Sequence, residues 1–344
     1  MNTNKPKILV TGGMGYIGSH TVVKLAENDF YPIIIDNLSN SSEKVLGNIA
    51  KILGYMPPFV KLDLRDQNKV ADFFDNNKDI KGVIHFAALK AVGESMQMPI
   101  EYYRNNIASL LNVLENMKIH NIENIVFSSS CTVYGQPDKL PVTENSPIKE
   151  AVSAYGNTKQ MSEDILKFTC NAHDIKCISL RYFNPIGAHQ SALIGELPIG
   201  VPNNLMPFIT QTAAGIREQL KVFGGDYNTP DGTAIRDYIH VVDLAQAHVS
   251  AVNRMLNNQT KSNLEFFNVG TGNGYSVLEV INSFERVSNQ KLNYVITERR
   301  SGDIEKVWAD TNKANKELGW KAELSLDEMT LSAWNWQLAL EKSK

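Results

Sequence analysis

The run Lys7-Ile-Leu-Val10, leading into Thr11-Gly-Gly-Met-Gly-Tyr-Ile-Gly18, constrains this chain more than any other. Branched apolar residues predict a strand, and Ser19 to Asn28 has the apolar spacing of an amphipathic helix, so the glycines fall on the turn between them. Gly13, Gly15 and Gly18 satisfy G-x-G-x-x-G, while Gly12, Gly15 and Gly18 satisfy G-x-x-G-x-x-G; either register lets a pyrophosphate approach the backbone at a helix amino terminus. A second apolar run, Pro32 to Ile35, ends in Asp36, about twenty residues beyond the loop, where a carboxylate accepts the ribose hydroxyls of adenosine. Asn37, Leu38, Ser39 and Asn40 follow, with no cation to neutralise a 2′-phosphate. NAD is therefore favoured over NADP.

Further strand-like runs lie at Phe59 to Asp63, Gly82 to Ala87, Asn124 to Ser129 and Cys177 to Tyr182, with helical spacing at Asn68 to Phe74, Pro99 to Ile119 and Ser153 to Ala172. Near-continuous apolar strands joined by helices mean a parallel sheet covered on both faces. The expected fold class is α/β, a doubly wound parallel sheet of the Rossmann type, with its site at the carboxyl ends of the strands. Asp63, the His85 to Lys90 run and Ser128 to Ser130 fall at such ends. From Pro185 the sequence becomes irregular and rich in Pro, Gly and Asn. This places a dinucleotide domain over residues 1–184 and a smaller α/β substrate lobe over 185–344, discontinuous because 237–270 looks set to return to the main sheet.

Tyr155 and Lys159 stand four apart, one helical turn, so an ammonium can be held near a phenol oxygen. A cation at ~7 Å with an effective dielectric of ~20 contributes about 2.4 kcal/mol, nearly two pKa units. Two cations, the lysine and an oxidised nicotinamide, would bring a phenol that titrates near ~10 towards neutrality. Taken alone the pair is most often an ordinary helix face; beside a dinucleotide loop it indicates redox chemistry on an alcohol. Ser130, at a strand end about twenty-five residues earlier, can hydrogen-bond a reacting oxygen, with Thr132 as a second candidate, although such serines commonly cap turns. Arg236, Arg299, Arg300 and Asp303 supply forked donors and a carboxylate suited to a diphosphate and a ribose diol, the bland reading being surface ion pairs, above all for Arg299. His85 reads as a core histidine rather than a base. Trp320, Trp334 and Trp336 read as one carboxyl-terminal packing cluster.

At 344 residues with a net charge of −3, the chain can bury a large core and has no basic tract for nucleic acid. The polar start and the lack of a long apolar run argue against a leader or a membrane span, so a cytoplasmic protein is expected. Its three cysteines, Cys131, Cys170 and Cys177, have no metal-ligand spacing and read as free thiols.

Thr11 to His20, His85 to Glu94, Ser128 to Gly135, Arg181 to Pro185, Pro202 to Pro207 and Arg236 to His240 together resemble the UDP-glucose 4-epimerase family of extended short-chain dehydrogenases/reductases, over nearly the whole chain. The resemblance implies that Tyr155 takes the proton of the sugar 4-hydroxyl, Lys159 lowers its pKa and holds the nicotinamide ribose, and Ser130 bridges the sugar oxygen. It implies NAD contacts at Gly12, Gly15, Tyr16, Ile17, Gly18, Asp36 to Leu38, Ser39 to Ser41, Asp63, Leu64, Phe86, Ala87, Ala88, Leu89, Lys90, Asn105 and Phe183. For the UDP-hexose it implies Asn184, Asn204, Leu205, Arg236, Arg300 and Asp303, with Lys90 and the catalytic groups. A homodimer is likewise implied. Val307, four residues past Asp303, stands where members that exclude N-acetylated sugars carry tyrosine; valine implies acceptance of UDP-GlcNAc and UDP-GalNAc as well. Related 4,6-dehydratases carry an acidic pair just after the catalytic hydroxyl residue, whereas Thr132 is followed by Val133 and Tyr134. An NAD-sensing regulator without turnover is the rival from another class, and such folds commonly lack the Tyr/Lys pair.

Overall fold

In the computed structural model, which describes residues 5–300 and 303–342, the chain begins with β1 (Lys7–Thr11), α1 (Tyr16–Glu27), β2 (Tyr31–Asp36), α2 (Lys44–Leu53), β3 (Phe59–Lys61), α3 (Gln67–Asp75) and β4 (Ile80–His85). It continues through α4 (Val92–Gln97), α5 (Pro99–Ile119), β5 (Asn124–Ser130), a short 3₁₀ turn (Cys131–Tyr134), α6 (Ala154–Ala172) and β6 (Lys176–Tyr182). Then follow β7 (Asn184–Ile186), α7 (Leu205–Ala213), β8 (Leu220–Phe223), β9 (Ile235–Arg236), β10 (Tyr238–His240) and α8 (Val241–Leu256). The last elements are β11 (Leu264–Val269), β12 (Tyr275–Ser276), α9 (Val277–Ser288), β13 (Tyr294–Thr297), β14 (Lys306–Val307) and α10 (Leu326–Lys342).

Seven strands form one parallel sheet in the order β3-β2-β1-β4-β5-β6-β11. Alternation along each strand divides the core. Ile8, Val10, Ile34, Ile84 and Ile178 face α1 and α8, whereas Leu9, Ile35, Val83, Ile125 and Phe127 face α3, α5 and α6. Strands buried on both faces are apolar at every position, which is why they read as unbroken runs. A separate cluster, including Met206, Val222, Tyr238, Phe284 and Met329, sits under α7, α9 and α10.

Several local expectations shift. Helix α1 starts at Tyr16, three residues before the apolar spacing suggested, because Gly15 takes the extended cap position. The three tryptophans do not form one cluster. Trp320 joins the main core and donates to the Asp243 carbonyl at 2.9 Å, Trp334 meets Phe284 edge-on, and Trp336 lies against Gly195. No helix among the described residues is long and apolar enough to cross a membrane.

Candidate functional site

The sheet reverses its winding between β1 and β4, and the crevice outside those carboxyl ends is where such folds take nucleotides. Gly12, with φ of 69°, turns the chain there, and a Cβ on it would stand 2.9 Å from the Ala87 nitrogen. A Cβ on Gly18 would stand 2.2 Å from the Gly12 carbonyl oxygen, so the turn and the helix meet backbone to backbone. No side chain caps α1, which leaves the first-turn N–H groups of Tyr16, Ile17 and Gly18 for an anion.

Asp36 ends β2, buried, and its carboxylate accepts from the Met14 N–H at 3.1 Å, the Leu38 N–H at 2.9 Å and the Ser41 hydroxyl at 2.9 Å. These bonds wrap Asn37 to Ser41 around it, with Ser39 and Asn40 exposed. Asp63 follows β3, and the Arg65 guanidinium, bonded at 2.6 and 2.9 Å, holds its carboxyl down to about 2. Leu64 is buried in the core, so only its backbone can face a ligand. The Phe86 to Lys90 loop crosses the end of β1, where the Phe86 N–H donates to the Thr11 carbonyl at 3.0 Å. Asn106 ties that loop to α6, accepting from the Leu89 N–H at 2.8 Å and donating to the Leu89 carbonyl and the Thr158 hydroxyl, each at 3.0 Å. Asn105 donates its amide to Asn106 at 3.0 Å. His85 shares a 3.0 Å hydrogen bond with Thr11, and burial draws it down to about 3, so it is a neutral core group.

Ser153 caps α6 by accepting from the Gly156 N–H at 3.1 Å, and this sets Tyr155, Lys159 and Glu163 on one face at intervals of four. The Lys159 Nζ lies 5.8 Å from the centre of the Tyr155 ring and 4.9 Å from that of Phe127, and donates to the Ser128 carbonyl at 2.6 Å. Burial draws Lys159 down to about 8, with Glu163 pulling it back up. Glu163 in turn accepts from Ser129 at 2.7 Å, Ser179 at 3.0 Å and Arg181 at 2.9 and 2.7 Å. Burial works against the Arg181 charge, and the Glu163 carboxylate outweighs it. The Tyr182 hydroxyl donates to the Ser128 hydroxyl.

Ser130 accepts from the Thr132 N–H at 3.2 Å, capping the short turn, and stands near enough to the Tyr155 hydroxyl to draw its pKa down. The capping role and a place at the phenol coincide in one residue. Tyr155 is partly exposed, but its hydroxyl is enclosed, and burial pushes it up to about 12 while Ser130 draws it down. Burial thus outweighs the pull of Ser130, and the unliganded phenol is a weaker acid than free tyrosine, the reverse of what the spacing alone suggests. The Thr132 hydroxyl is buried with no hydrogen-bond partner among the described residues.

The remaining candidates lie across the crevice. Arg236 on β9 donates to the Ile235 carbonyl at 2.9 Å and the Glu305 carbonyl at 3.4 Å. Its neighbour Asp237 is fully buried and staples three segments, accepting from the N–H groups of Thr271 at 2.8 Å, Gly272 at 3.0 Å and Ala309 at 3.1 Å. Val307 pairs with Arg236 in register, its side chain buried among Val133, Phe183 and Ala309. The Asn184 N–H donates to the Asp237 carbonyl at 2.9 Å. Arg300 pairs with Asp303 at 2.9 Å and lies 5.6 Å from the centre of the Phe223 ring, while Arg299 is an exposed partner of Asp226. Ser301 and Gly302 lie outside the described residues. Asn204 and Leu205 open α7, and the Asn204 amide donates to Glu196 rather than capping its own helix.

The structure therefore gathers Ser130, Thr132, Tyr155 and Lys159 into one group at the carboxyl end of β5. Such a group can take a proton from an alcohol and hold the resulting oxygen. Sequence reasoning missed Glu163, although its spacing from Tyr155 and Lys159 marks the same helix face. It also missed Phe223, an exposed aromatic beside Arg300, and Glu196, which sits in an irregular loop without periodic signal.

A family profile described as GDP-mannose 4,6 dehydratase matches residues 9–332. A UDP-glucose 4-epimerase of Dictyostelium discoideum is 49% identical over 332 residues, covering 96% of this chain and 95% of its own. The crystal structure of a UDP-glucose 4-epimerase from Bifidobacterium longum, in complex with NAD+ and UDP, superposes with a TM-score of 0.93 at 46% identity, covering 98% of this chain and 100% of that one. A UDP-Glc/GlcNAc 4-epimerase from Campylobacter jejuni superposes with a TM-score of 0.83 at 35% identity, covering 97% and 99%.

Proposed function

The chain belongs to the UDP-glucose 4-epimerase family, and from that premise we propose how its own residues carry out an NAD-dependent inversion at C4 of a UDP-hexose. The observation that carries the reading is the Ser130, Thr132, Tyr155 and Lys159 group standing in the same sheet-end crevice as the glycine turn. That turn fits a dinucleotide: a Cβ would fill it, and the open amino terminus of α1 and the carboxylate of Asp36 lie beside it. Bound there, NAD supplies reversible hydride acceptance at the sugar C4.

On this reading residues 1–184, with 237–270, hold the cofactor through Gly12, Gly15 to Gly18, Asp36 to Ser41, Asp63, Leu64, Phe86 to Lys90, Asn105 and Phe183. Asn184 at the boundary, with Asn204, Leu205, Arg236, Arg300 and Asp303 from the rest of 185–344, holds the UDP-sugar. Tyr155 takes the 4-hydroxyl proton, Lys159 keeps the phenolate stable and holds the nicotinamide ribose, and Ser130 hydrogen-bonds the sugar oxygen as the 4-keto sugar forms. The keto sugar turns about its diphosphate link while the two arginines keep hold of the nucleotide. Tyr155 then returns the proton to the oxygen on the inverted centre. Water elimination is disfavoured because Val133 and Tyr134, buried after Thr132, offer no acid for it.

Val307 extends the substrate range. Its side chain, in register with Arg236, is smaller than the tyrosine of members that exclude N-acetylated sugars, which supports acceptance of a C2 acetamido group, and the Campylobacter jejuni neighbour is named for both sugar types. A second copy of the chain completes the molecule. Leu111 on α5 and Met161 and Phe168 on α6 are 47%, 39% and 72% exposed on adjacent helices, an apolar face suited to a symmetric four-helix contact. The free thiols of Cys131, Cys170 and Cys177 accord with a reducing compartment, the cytoplasm. The test is to denature the purified protein and assay the released nucleotide, then supply UDP-galactose. NAD in stoichiometric amount and UDP-glucose as product are expected; NADPH, or steady net NADH production, would overturn the assignment.

A further inference from the structure

Lys90 and Asn204 come from opposite sides of the crevice, one from the loop after β4 and the other from the start of α7, yet they share one acceptor. The Glu196 Oε1 takes the Asn204 amide at 2.5 Å and faces the Lys90 Nζ at 3.5 Å. Glu196 is pinned from behind. The Trp336 indole N–H donates to its carbonyl at 3.0 Å, and the preceding Gly195 packs so closely on that ring that a Cβ would come within 2.5 Å of it. Its side chain is only 12% exposed, against 53% for Lys90, so the carboxylate is the fixed member and the lysine the adjustable one. Lys90 in turn lies 6.0 Å from the centre of the ring of Tyr16, the first residue of α1.

We propose that Glu196 is a positioning residue that couples the two ligand sites, through one carboxylate oxygen divided between a cofactor-side cation and a substrate-side amide. The inference rests on the proposed placement of NAD beside Lys90 and of the nucleotide-sugar beside Asn204. When the substrate engages the Asn204 amide, Glu196 is released to Lys90 alone, and the lysine is drawn down over the cofactor turn. Occupancy of the substrate site then retains the cofactor, which a reaction that must return its hydride requires. By linkage, NAD tightens nucleotide binding by the same factor.

The test measures exchange of bound NAD for labelled NAD in the holoenzyme, with and without UDP. In the native protein UDP should slow exchange by about fivefold or more, the range of ordinary site coupling. Glu196→Gln keeps an oxygen for Asn204 but removes the charge that Lys90 follows, so UDP should still bind while slowing exchange much less. Lys90→Met should erase the same effect, and the double variant should lose no more than either single one. If UDP slows exchange in Glu196→Gln as much as in the native protein, the proposal is overturned. It is equally overturned if Glu196→Gln lowers only the unfolding temperature and leaves that ratio intact. A native protein that carries no NAD, or does not bind UDP, would instead defeat the functional reading beneath it.

Discussion

Replacing Lys159 with methionine removes the ammonium beside the proposed catalytic phenol while keeping the length of the side chain. Burial holds Tyr155 at about 12, so proton abstraction near neutral pH works against roughly 7 kcal/mol before any ligand charge helps. The Lys159 ammonium sits 5.8 Å from the Tyr155 ring; with an effective dielectric of ~20 its attraction for the phenolate is about 2.9 kcal/mol, or roughly two pKa units. In the proposed mechanism the ionised phenol is the active form, so activity climbs with pH through its pKa. Lys159→Met should therefore move the rising limb of kcat about two units upward and lower the rate on that limb up to about 100-fold, the two proteins converging at high pH. The substitution leaves Glu163 paired with Arg181, so no buried carboxylate is orphaned. The assay is kcat for UDP-galactose across pH on samples of measured NAD content, because Lys159 is also assigned to the nicotinamide ribose. A limb that stays in place, or a loss that is the same at every pH, would refute the electrostatic role.

Gly18→Ala places a Cβ 2.2 Å from the Gly12 carbonyl, so the purified protein should carry much less NAD; a full complement would show that the turn can yield. His20 and His85 are held at about 3, and His240 and His248 at about 4, all by burial. The unfolded chain therefore binds protons that the folded one does not between pH ~6.5 and ~4, and stability is lost as pH falls through that window, each imidazole contributing up to about 1.4 kcal/mol per pH unit. A thermal unfolding temperature unchanged from about pH 7 to about 5 would contradict this linkage. Val307→Tyr should suppress turnover of UDP-GlcNAc far more than that of UDP-galactose, and equal effects on both would remove Val307 as a gate. Phe168→Asp should convert a dimer into monomers in sedimentation, and an unchanged mass would place the contact elsewhere.

The parts of the fold legible in the sequence are those built from local periodicity. The strand and glycine turn, the carboxylate at Asp36 and the bounds of α5 all follow from apolar spacing within a few turns of chain. Tyr155 and Lys159 share a face because a helix puts residues four apart together wherever it lies. What resists such reading depends on contacts between distant segments. The tryptophans near the carboxyl end separate because Trp320 follows α8 into the main core while Trp336 follows the Gly195 loop. Glu196 gains its position from a ring on α10 about 140 residues away, and no local pattern marks it. The acidity of Tyr155 is likewise invisible to spacing, since enclosure of its hydroxyl by the surrounding fold decides the sign.

At the centre of the proposed mechanism, the hydride leaves C4 and returns to the same carbon on its other face. Holoenzyme given UDP-galactose deuterated at C4, with unlabelled NAD in the medium, tests this directly. The expected product is UDP-glucose that keeps the deuterium at C4, with none in water or in the free nucleotide pool. Label appearing in free NADH, or exchanged into solvent, would contradict it.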